Sequence, residues 1–389
     1  MKASDYNGVS VLIVDGYARQ TLPMAEGFRQ LRCKVFTVCF SKLDVGYQTR
    51  YSSPILIKCG KENYSEQERI VCNLIRTGQF GIVVPMTDYS AIYLAKNKKE
   101  LSQYAYIAVN NSDVFELAID KLKTSKVCAE YKIPSPVTLF SDDPVTEIQR
   151  RSINYPVVIK PKTACGSIGF NIADDEEHLK RILSNYDGAN GEMFVQEYIP
   201  QSGSQYGAEV YRDYKGNVVF SLVYEKPRWY PLDGGAATII VSVHIDEIKK
   251  MAESLLEAIN WRGYANLDFV IDSRDGKPKI IEVNARISAV VKLDYCCGIN
   301  IARLIYNDAF KIESYVDDYK DGIKTSCFLT ELLWFVKSPK RFRQKPIFLN
   351  RKNTSDVIFS WSDIMPSIAF CLQSVKNYKH AMRMRKRKR

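Results

Sequence analysis

A short run of residues carries three chemically active side chains at alternate positions. Ile280-Ile-Glu282-Val-Asn284-Ala-Arg286 spaces an acid, an amide and a cation two residues apart. Side chains at this spacing in a strand point to the same face. Asp268 lies on the preceding strand of the same predicted hairpin. Carboxylate and amide oxygens suit Mg²⁺, and an arginine can pair with phosphate oxygens. The run therefore predicts a metal and phosphate site, with an incidental polar hairpin as the alternative.

A second run reads as a buried strand that ends in lysines. Val157-Val-Ile-Lys160-Pro-Lys162 is followed by a loop containing Gly166, Ser167 and Gly169. Glycines let backbone N–H groups approach an anion closely. A Walker A motif is absent from the sequence. The run predicts a phosphate-binding loop, and a solvated hairpin is the alternative.

A third run, Phe194-Val-Gln196-Glu197-Tyr198-Ile199, completes a series of three segments. In this order they resemble the ATP-grasp ligase superfamily, most of all its carbamoyl-phosphate synthetase-like and carboxylate–amine ligase members. The resemblance extends from Asp120 to Phe310, and the Glu282-x-Asn284-x-Arg286 signature is its most specific part. The α/β region before it is similar to the domain that normally precedes an ATP-grasp domain.

The resemblance implies a role for each matching position. Residues expected to contact ATP phosphates through the lysines and the loop are Lys121, Lys160, Lys162, Gly166, Ser167 and Gly169. The adenine-binding hinge would be formed by Gln196, Glu197, Tyr198 and Ile199. Either Gln205 or Glu209 would hold the ribose. Asp268, Glu282 and Asn284 would bind one or two Mg²⁺ ions, with Mn²⁺ as a substitute.

The resemblance also implies a reaction. Phosphoryl transfer from ATP would convert a carboxylate into an acyl phosphate, and an amine would then displace phosphate to form an amide. Lys160 and Arg286 would act catalytically by offsetting charge on the phosphoryl oxygens. The family usually has an acid where this chain has Gln205. That departure leaves a noncatalytic ATP-binding regulatory module as the alternative.

Small-molecule carboxylate and amine substrates are implied, and residues 224–238 are the best candidate segment to recognise them. Lys226 and Arg228 lie there beside aromatic residues, and Lys292 is placed similarly after Arg286. Arginine can hold a carboxylate with two hydrogen bonds, but solvated loop charges are an equal alternative. The sequence after Arg286 departs from the family pattern, so a substrate class cannot be transferred.

Outside these runs, strand and helix patterns alternate. Val9–Val14, Cys33–Phe40, Ile55–Ile57 and Gly81–Pro85 read as strands separated by helical patterns, which is typical of an open parallel α/β sheet. A dinucleotide fingerprint is absent after the first strand. The loop Pro85–Ser90 ends a strand, and we interpret its Asp88 and Ser90 as a helix cap, with substrate contact as the alternative.

These patterns predict a fold of the α/β and α+β class in three parts. Residues 1–115 form an open parallel α/β domain. Residues 116–330 form a two-subdomain ATP-grasp domain, divided into 116–198 and 199–330. Residues 331–389 form a basic, helical C-terminal extension. Thr325–Val336 reads as a final strand.

Composition sets broad limits. With 46% hydrophobic and 25% charged residues, the chain is typical of a globular protein. An apolar signal core and an apolar run of about 20 residues are both missing. The ten cysteines are scattered and three histidines are few, so reduced thiols are expected and zinc is not. We expect a cytoplasmic protein, and the sequence leaves open whether it forms a homodimer.

The net charge of +11 is concentrated in one segment. Residues 332–389 hold 15 lysines and arginines against two acids, and apolar residues follow helical spacing from Ile364. One interpretation is a helix packed on the body with a charged end. Another is contact with the anionic inner face of a membrane, by an enzyme that acts on cell-envelope or polysaccharide precursors. Nucleic acid is disfavoured.

Overall fold

The structure is a computed structural model of the chain. It describes residues 8–60, 63–141, 143–163, 169–188, 191–201, 203–232 and 235–374. The predicted phosphate-loop residues Gly166 and Ser167 lie outside the described residues, as does the basic run after residue 374.

The N-terminal region is a parallel sheet flanked by helices. Its strands are β1 (Ser10–Val14), β2 (Lys34–Cys39), β3 (Ser53–Leu56), β4 (Ile82–Pro85) and β5 (Tyr106–Ile107). Its helices are α1 (Thr21–Gln30), α2 (Val45–Gln48), α3 (Tyr64–Arg76) and α4 (Asp88–Leu101). The strand order is β3-β2-β1-β4-β5. β1 is almost wholly apolar because both faces of this central strand are covered. Loops at the carboxyl ends of β1 and β4 therefore lie side by side.

The next region is smaller. It contains the helices α5 (Ser112–Ile119), α6 (Lys121–Glu130), α7 (Pro144–Arg150) and α8 (Glu176–Ser184). Its strands β6 (Val157–Pro161), β7 (Asn171–Ala173) and β8 (Met193–Glu197) form an antiparallel sheet in the order β7-β6-β8. Asp120 separates α5 from α6 and accepts hydrogen bonds from two N–H groups of the α6 first turn. This cap fixes Lys121 as the first residue of α6.

A seven-stranded sheet forms the largest layer. Its strands are β9 (Gln205–Arg212), β10 (Val218–Tyr230), β11 (Ala236–Val243), β12 (Gly263–Ile271), β13 (Pro278–Asn284), β14 (Lys324–Ser326) and β15 (Thr354–Asp356). The order is β13-β12-β9-β10-β11-β14-β15. Helix α9 (Asp246–Ala258) packs on one face. Helices α10 (Lys292–Cys296) and α11 (Ile301–Ala309) pack on the other face, together with α1.

The segment predicted as a final strand is mostly a helix. Only β14 is extended there, and α12 (Phe328–Lys337) follows it at once. Glu331 and Trp334 both contact Arg228, and they are three residues apart. That spacing brings both onto one face of a helix but onto opposite faces of a strand. The prediction of a strand over Thr325–Val336 is therefore wrong.

Residues 365–374 are helical, in agreement with the spacing from Ile364. Phe370 packs on a small core of Cys327, Val357 and Ile358. None of the helices in the described part of the chain has both the length and the hydropathy needed to span a bilayer.

Candidate active site

The hairpin of β12 and β13 brings the predicted metal residues together on one face. Asp268 lies opposite Glu282, and Asn266 lies opposite Asn284. The Asn284 Nδ2 atom is 3.4 Å from Asp268 Oδ2 and 3.2 Å from Asn266 Oδ1. Gly276 in the turn has a φ of +72°, a conformation that favours glycine. This register gathers two carboxylates and two amides in one cluster.

Three lysines from three different elements approach this cluster. Lys226 of β10 places Nζ 2.5 Å from Asp268 Oδ1. Lys121 of α6 places Nζ 3.7 Å from Glu282 Oε1. Burial and the neighbouring Lys121 lower the pKa of Lys160 to about 8, while Glu282 acts in the opposite direction. The small sheet and the large sheet thus both contribute cations to one site.

The cluster fits a magnesium ion. Asp268, Glu282 and Asn284 offer hard oxygen donors, the type that Mg²⁺ prefers together with water and phosphate oxygens. Among the described residues, no three His, Cys, Asp or Glu side chains lie close enough to hold a metal by themselves. Ligand oxygens would therefore complete the coordination. A bound Mg²⁺ would neutralise charge on phosphoryl oxygens. This metal assignment stays a prediction.

Arg286 joins the site to the N-terminal sheet. Its Nε donates to Asp88 Oδ2 at 3.1 Å. Asp88 is the first residue of α4, and Thr87 with Ser90 forms the cap of that helix. The predicted helix cap is present, but Thr87 forms it with Ser90, and Asp88 contacts the signature arginine instead. The loop after β4 thus holds Arg286 beside the carboxylate cluster.

The predicted adenine hinge follows the end of β8. Gln196 is buried, and its Nε2 donates to Thr138 Oγ1 at 2.7 Å. The Glu197 carboxylate accepts from the Val137 N–H and from Arg274. Both side chains thus hold the strand in place. The backbone N–H of Ile199 forms no hydrogen bond to any described residue. This leaves a backbone donor for a base edge, as the hinge prediction for Tyr198 and Ile199 requires.

Glu209 does not lie where a ribose could reach it. Its side chain is fully buried and accepts a hydrogen bond from the Tyr264 hydroxyl. Burial raises the pKa of Glu209, and burial together with Glu209 raises the pKa of Asp294 beside it. Its burial contradicts the expectation of a ribose contact. Gln205, at the start of β9, donates to Gln201 at 3.0 Å and remains the predicted ribose residue.

Arg228 is also placed differently from the expectation. It is 2% exposed and forms an ion pair with the buried Glu331. Its guanidinium donates to the Pro346 carbonyl at 2.5 Å and lies 4.2 Å from the Trp334 ring centroid. β10 has a bulge between Glu225 and Arg228, and the strand is more deeply buried at Arg228 than at Lys226. Arg228 holds the C-terminal extension to the sheet, and the predicted substrate contact by it is contradicted.

The remaining predicted residues lie at the margins of the cluster. Lys162 Nζ is 2.5 Å from Glu192 Oε1, and the Lys162 carbonyl accepts from the Lys121 N–H at 2.9 Å. Gly169 has a φ of +72°. Lys292 Nζ is 4.0 Å from Glu26 Oε2. Their roles stay predictions.

Sequence reasoning missed Asn266 as a member of the site, and it did not predict the contact between Lys226 and Asp268. Asn266 precedes Asp268 by two residues, and this spacing alone would have placed it on the same face. Lys226 is 42 residues from Asp268 in sequence. The contact depends on β9 lying between β10 and β12, and no local signal in the sequence reveals that order.

Comparisons with known proteins agree with this geometry. A family model described as an ATP-grasp domain matches residues 118–290. D-aspartate ligase from Enterococcus faecium is 27% identical over 284 residues, which cover 67% of this chain and 64% of that protein. The C-terminal section of the carbamoyl phosphate synthase large chain from Methanopyrus kandleri is 26% identical over 195 residues, or 48% of this chain and 36% of that protein. The chain spans less than two thirds of the length of both relatives.

A solved structure shows the same fold. The biotin carboxylase domain of 2-oxoglutarate carboxylase from Hydrogenobacter thermophilus, in complex with MgADP, ADP and bicarbonate, aligns with a TM-score of 0.67. It is 16% identical, and the alignment covers 81% of this chain and 73% of that chain. The predicted fold class is confirmed. Residues 118–290 match the ATP-grasp domain model, and the resemblance inferred from the motifs is confirmed.

Proposed function

We propose that the protein is an ATP- and Mg²⁺-dependent ligase that joins a carboxylate to an amine. The observation that carries the proposal is the cluster in which Asp268 and Glu282 meet the ammonium groups of Lys226 and Lys121. The carboxylates suit a divalent cation, and the ammonium groups suit phosphoryl oxygens. The similarity to a D-aspartate ligase supports the ligase class.

The proposed reaction has two steps. A carboxylate oxygen attacks the γ-phosphorus of ATP, the bond to ADP breaks, and an acyl phosphate forms. An amine then attacks the acyl carbon, phosphate leaves with the transferred oxygen, and the nitrogen gives up a proton. Lys160, Lys226 and Arg286 lower the barrier by offsetting negative charge on the phosphoryl oxygens.

The test is phosphate release from ATP with a panel of carboxylates and amines. The wild-type protein is expected to require both substrates and Mg²⁺, with Mn²⁺ tried as a substitute. Glu282→Ala should abolish turnover, because it removes a carboxylate from the cluster. Glu313→Gln, an exposed acid paired with Lys215, is the matched control. Turnover that survives Glu282→Ala would refute the metal assignment. ATP binding without turnover on any pair would favour a noncatalytic module.

We also propose that residues 328–374 contact an anionic membrane surface. In the helix over 365–374 and its approach, Ile364, Ile368 and Leu372 are exposed at intervals of four residues, and Trp361 is 83% exposed. The opposite side of this segment packs on the body, where Asp363 accepts a hydrogen bond from Thr49 at 2.5 Å. Apolar exposure within a cationic segment is typical of interfacial binding.

Sedimentation with vesicles tests this second proposal. The full chain should sediment with vesicles rich in phosphatidylserine and stay in solution with phosphatidylcholine alone. Ile368→Glu should reduce the bound fraction, whereas Val218→Glu, at an exposed apolar site on β10, should not. Equal sedimentation of all three proteins, or of a chain lacking residues 381–389, would count against membrane contact.

A further inference from the structure

Tyr224 of β10 reaches across the large sheet toward the carboxylate cluster. Its register partner on β9 is Gly207, and Gly207 lies opposite Asp268 of β12. A Cβ atom at Gly207 would lie 2.3 Å from both Cζ and Oη of Tyr224. The tyrosine ring therefore passes directly over the glycine. A glycine inside a strand often marks such a close approach, and here it gives the ring its path across β9.

At the end of this path the Tyr224 hydroxyl accepts a hydrogen bond. The donor is Asn266 Nδ2, at 2.7 Å. Both residues are buried, with Tyr224 1% and Asn266 3% exposed, so water does not replace this bond. Without the hydroxyl, the Asn266 amide would have a buried N–H group with no acceptor, which is costly.

The hydrogen bonds continue from Asn266 through Asn284 to Asp268. An ionised carboxylate only accepts hydrogen bonds, so the Asn284 atom that lies 3.4 Å from Asp268 Oδ2 is the amide nitrogen. The same nitrogen donates to Asn266 Oδ1 at 3.2 Å. This bond turns the Asn266 nitrogen toward Tyr224. Asp268, Asn284, Asn266 and Tyr224 thus form one chain of hydrogen bonds with a fixed direction.

The direction of this chain decides which atom of Asn284 a ligand meets. Asn284 Nδ2 donates to Asn266 and Asp268, and Asn284 Oδ1 accepts no hydrogen bond from the part of the chain that the structure describes. Mg²⁺ is bound by amide oxygens. A reversed Asn284 amide would offer nitrogen to the metal and turn its oxygen toward the Asp268 carboxylate. The chain therefore selects the orientation in which Asn284 can bind a metal.

We propose that Tyr224 is a positioning residue for the metal site. It acts through Asn266 and Asn284, and it contacts neither the metal nor ATP. The inference rests on the ligase function proposed above and on the predicted Mg²⁺ ligands. Tyr224 lies on β10 and Asn284 on β13, three strands apart in the sheet. A buried hydroxyl thus controls metal affinity from a distance, and Gly207 makes this possible.

A purely structural role for the tyrosine is the competing explanation. Its ring belongs to the core cluster that includes Leu222 and Tyr264. The ring centroid also lies 5.7 Å from Lys226 Nζ, within the range of a cation–π contact. Phenylalanine keeps the ring and therefore both of these contacts. Tyr224→Phe removes the hydroxyl alone and separates positioning from packing.

Calorimetry of ADP binding to the full chain, once with Mg²⁺ and once with EDTA, tests the inference. The dissociation constant in EDTA divided by that in Mg²⁺ measures how much the metal contributes to binding. In Tyr224→Phe this ratio should be about tenfold smaller than in the wild type, as for loss of a group that orients a metal ligand. The affinity in EDTA should not change. Gly207→Ala should lower the ratio as well, because the ring must leave its path.

Tyr211→Phe is the matched control. Tyr211 is buried in the same core cluster, but its hydroxyl donates to Asp308 at 3.0 Å. Its ratio should equal that of the wild type. Asn266→Ala should lower the ratio at least as much as Tyr224→Phe. Combining these two changes should cause no further loss, because both break the same chain of hydrogen bonds.

Each other result contradicts a specific part of the account. A wild-type ratio in Tyr224→Phe, or additive losses in the double variant, would overturn the inference and leave the ligase proposal standing. Equal loss of ADP affinity with Mg²⁺ and with EDTA would show a structural role and would also overturn it. If Mg²⁺ does not raise the ADP affinity of the wild type, the predicted metal site and this inference both fail. A loss confined to Mg²⁺, without phosphate release on any carboxylate and amine pair, would refute the ligase function and leave the positioning role standing.

Discussion

Lys226 and Arg228 lie two residues apart on β10 and each pairs with a carboxylate, yet the first pair is partly exposed and the second is buried. Lys226 is 16% exposed in its side chain and reaches the 24% exposed Asp268. Arg228 and Glu331 are 1% and 0% exposed, respectively. The bulge after Glu225 separates a cation that a ligand can reach from one that is closed off by α12 and its neighbours. From residue type alone, both cations would be predicted to bind substrate. Their burial shows that a ligand can reach Lys226 but not Arg228.

The largest expected effect comes from breaking the buried pair. Glu331→Gln leaves the charge of Arg228 uncompensated in the interior, which should lower the free energy of unfolding by about 3–5 kcal/mol. Replacing both residues by leucine should be much less costly, because burial of two apolar side chains avoids the desolvation of charge. Urea unfolding of both variants measures the difference. If both destabilise the protein equally, the pair is not the source of the effect.

Breaking the accessible pair should affect turnover and leave stability nearly unchanged. Lys226→Met is expected to lower kcat by about 100- to 1000-fold, as for loss of one donor to a developing oxyanion. The same variant should unfold at the wild-type urea midpoint, since its pair with Asp268 is partly solvated. Steady-state kinetics and urea unfolding on one preparation check both statements. A Lys226→Met protein with wild-type kcat would remove this lysine from the site.

The pH dependence of ATP use should report Lys160. Its pKa of about 8 in the free protein means that the ammonium loses its proton as the pH rises through that value. Above pH 8, kcat/KM for ATP should therefore fall by about tenfold for each pH unit. Lys160→Arg should move the fall to higher pH, because arginine stays charged. A profile that is flat between pH 7 and 9 would contradict this account.

The smallest expected effect concerns the contact between Arg286 and the N-terminal sheet. Asp88 and Arg286 are each 21% exposed in their side chains, so their pair should contribute less than about 1 kcal/mol. Asp88→Asn is expected to raise KM by less than about fivefold, whereas Arg286→Met should lower kcat strongly. Equal losses in the two variants would mean that the pair acts as a unit.

Local spacing accounts for the part of the site that the sequence predicted. Glu282, Asn284 and Asp268 share a face because strands alternate with a period of two, and the structure places them so. The parallel N-terminal sheet was predicted by the same kind of local pattern. The buried position of Arg228 could not be predicted, because its partner Glu331 is 103 residues away. Glu331 also lies in an apolar segment that we predicted to be a strand and that is a helix. Glu209 was misjudged because the burial of a strand residue depends on what packs over it, here Tyr264 and Asp294.

The central claim is that the cluster transfers the γ-phosphoryl group of ATP to a carboxylate. Isotope transfer from a substrate labelled with oxygen-18 in its carboxylate tests this claim directly. The account predicts that each phosphate released during amide formation carries one labelled oxygen, because the carboxylate oxygen attacks phosphorus and leaves with it. Unlabelled phosphate, formed at the same rate with or without the carboxylate, would mean that water is the acceptor and would contradict the account.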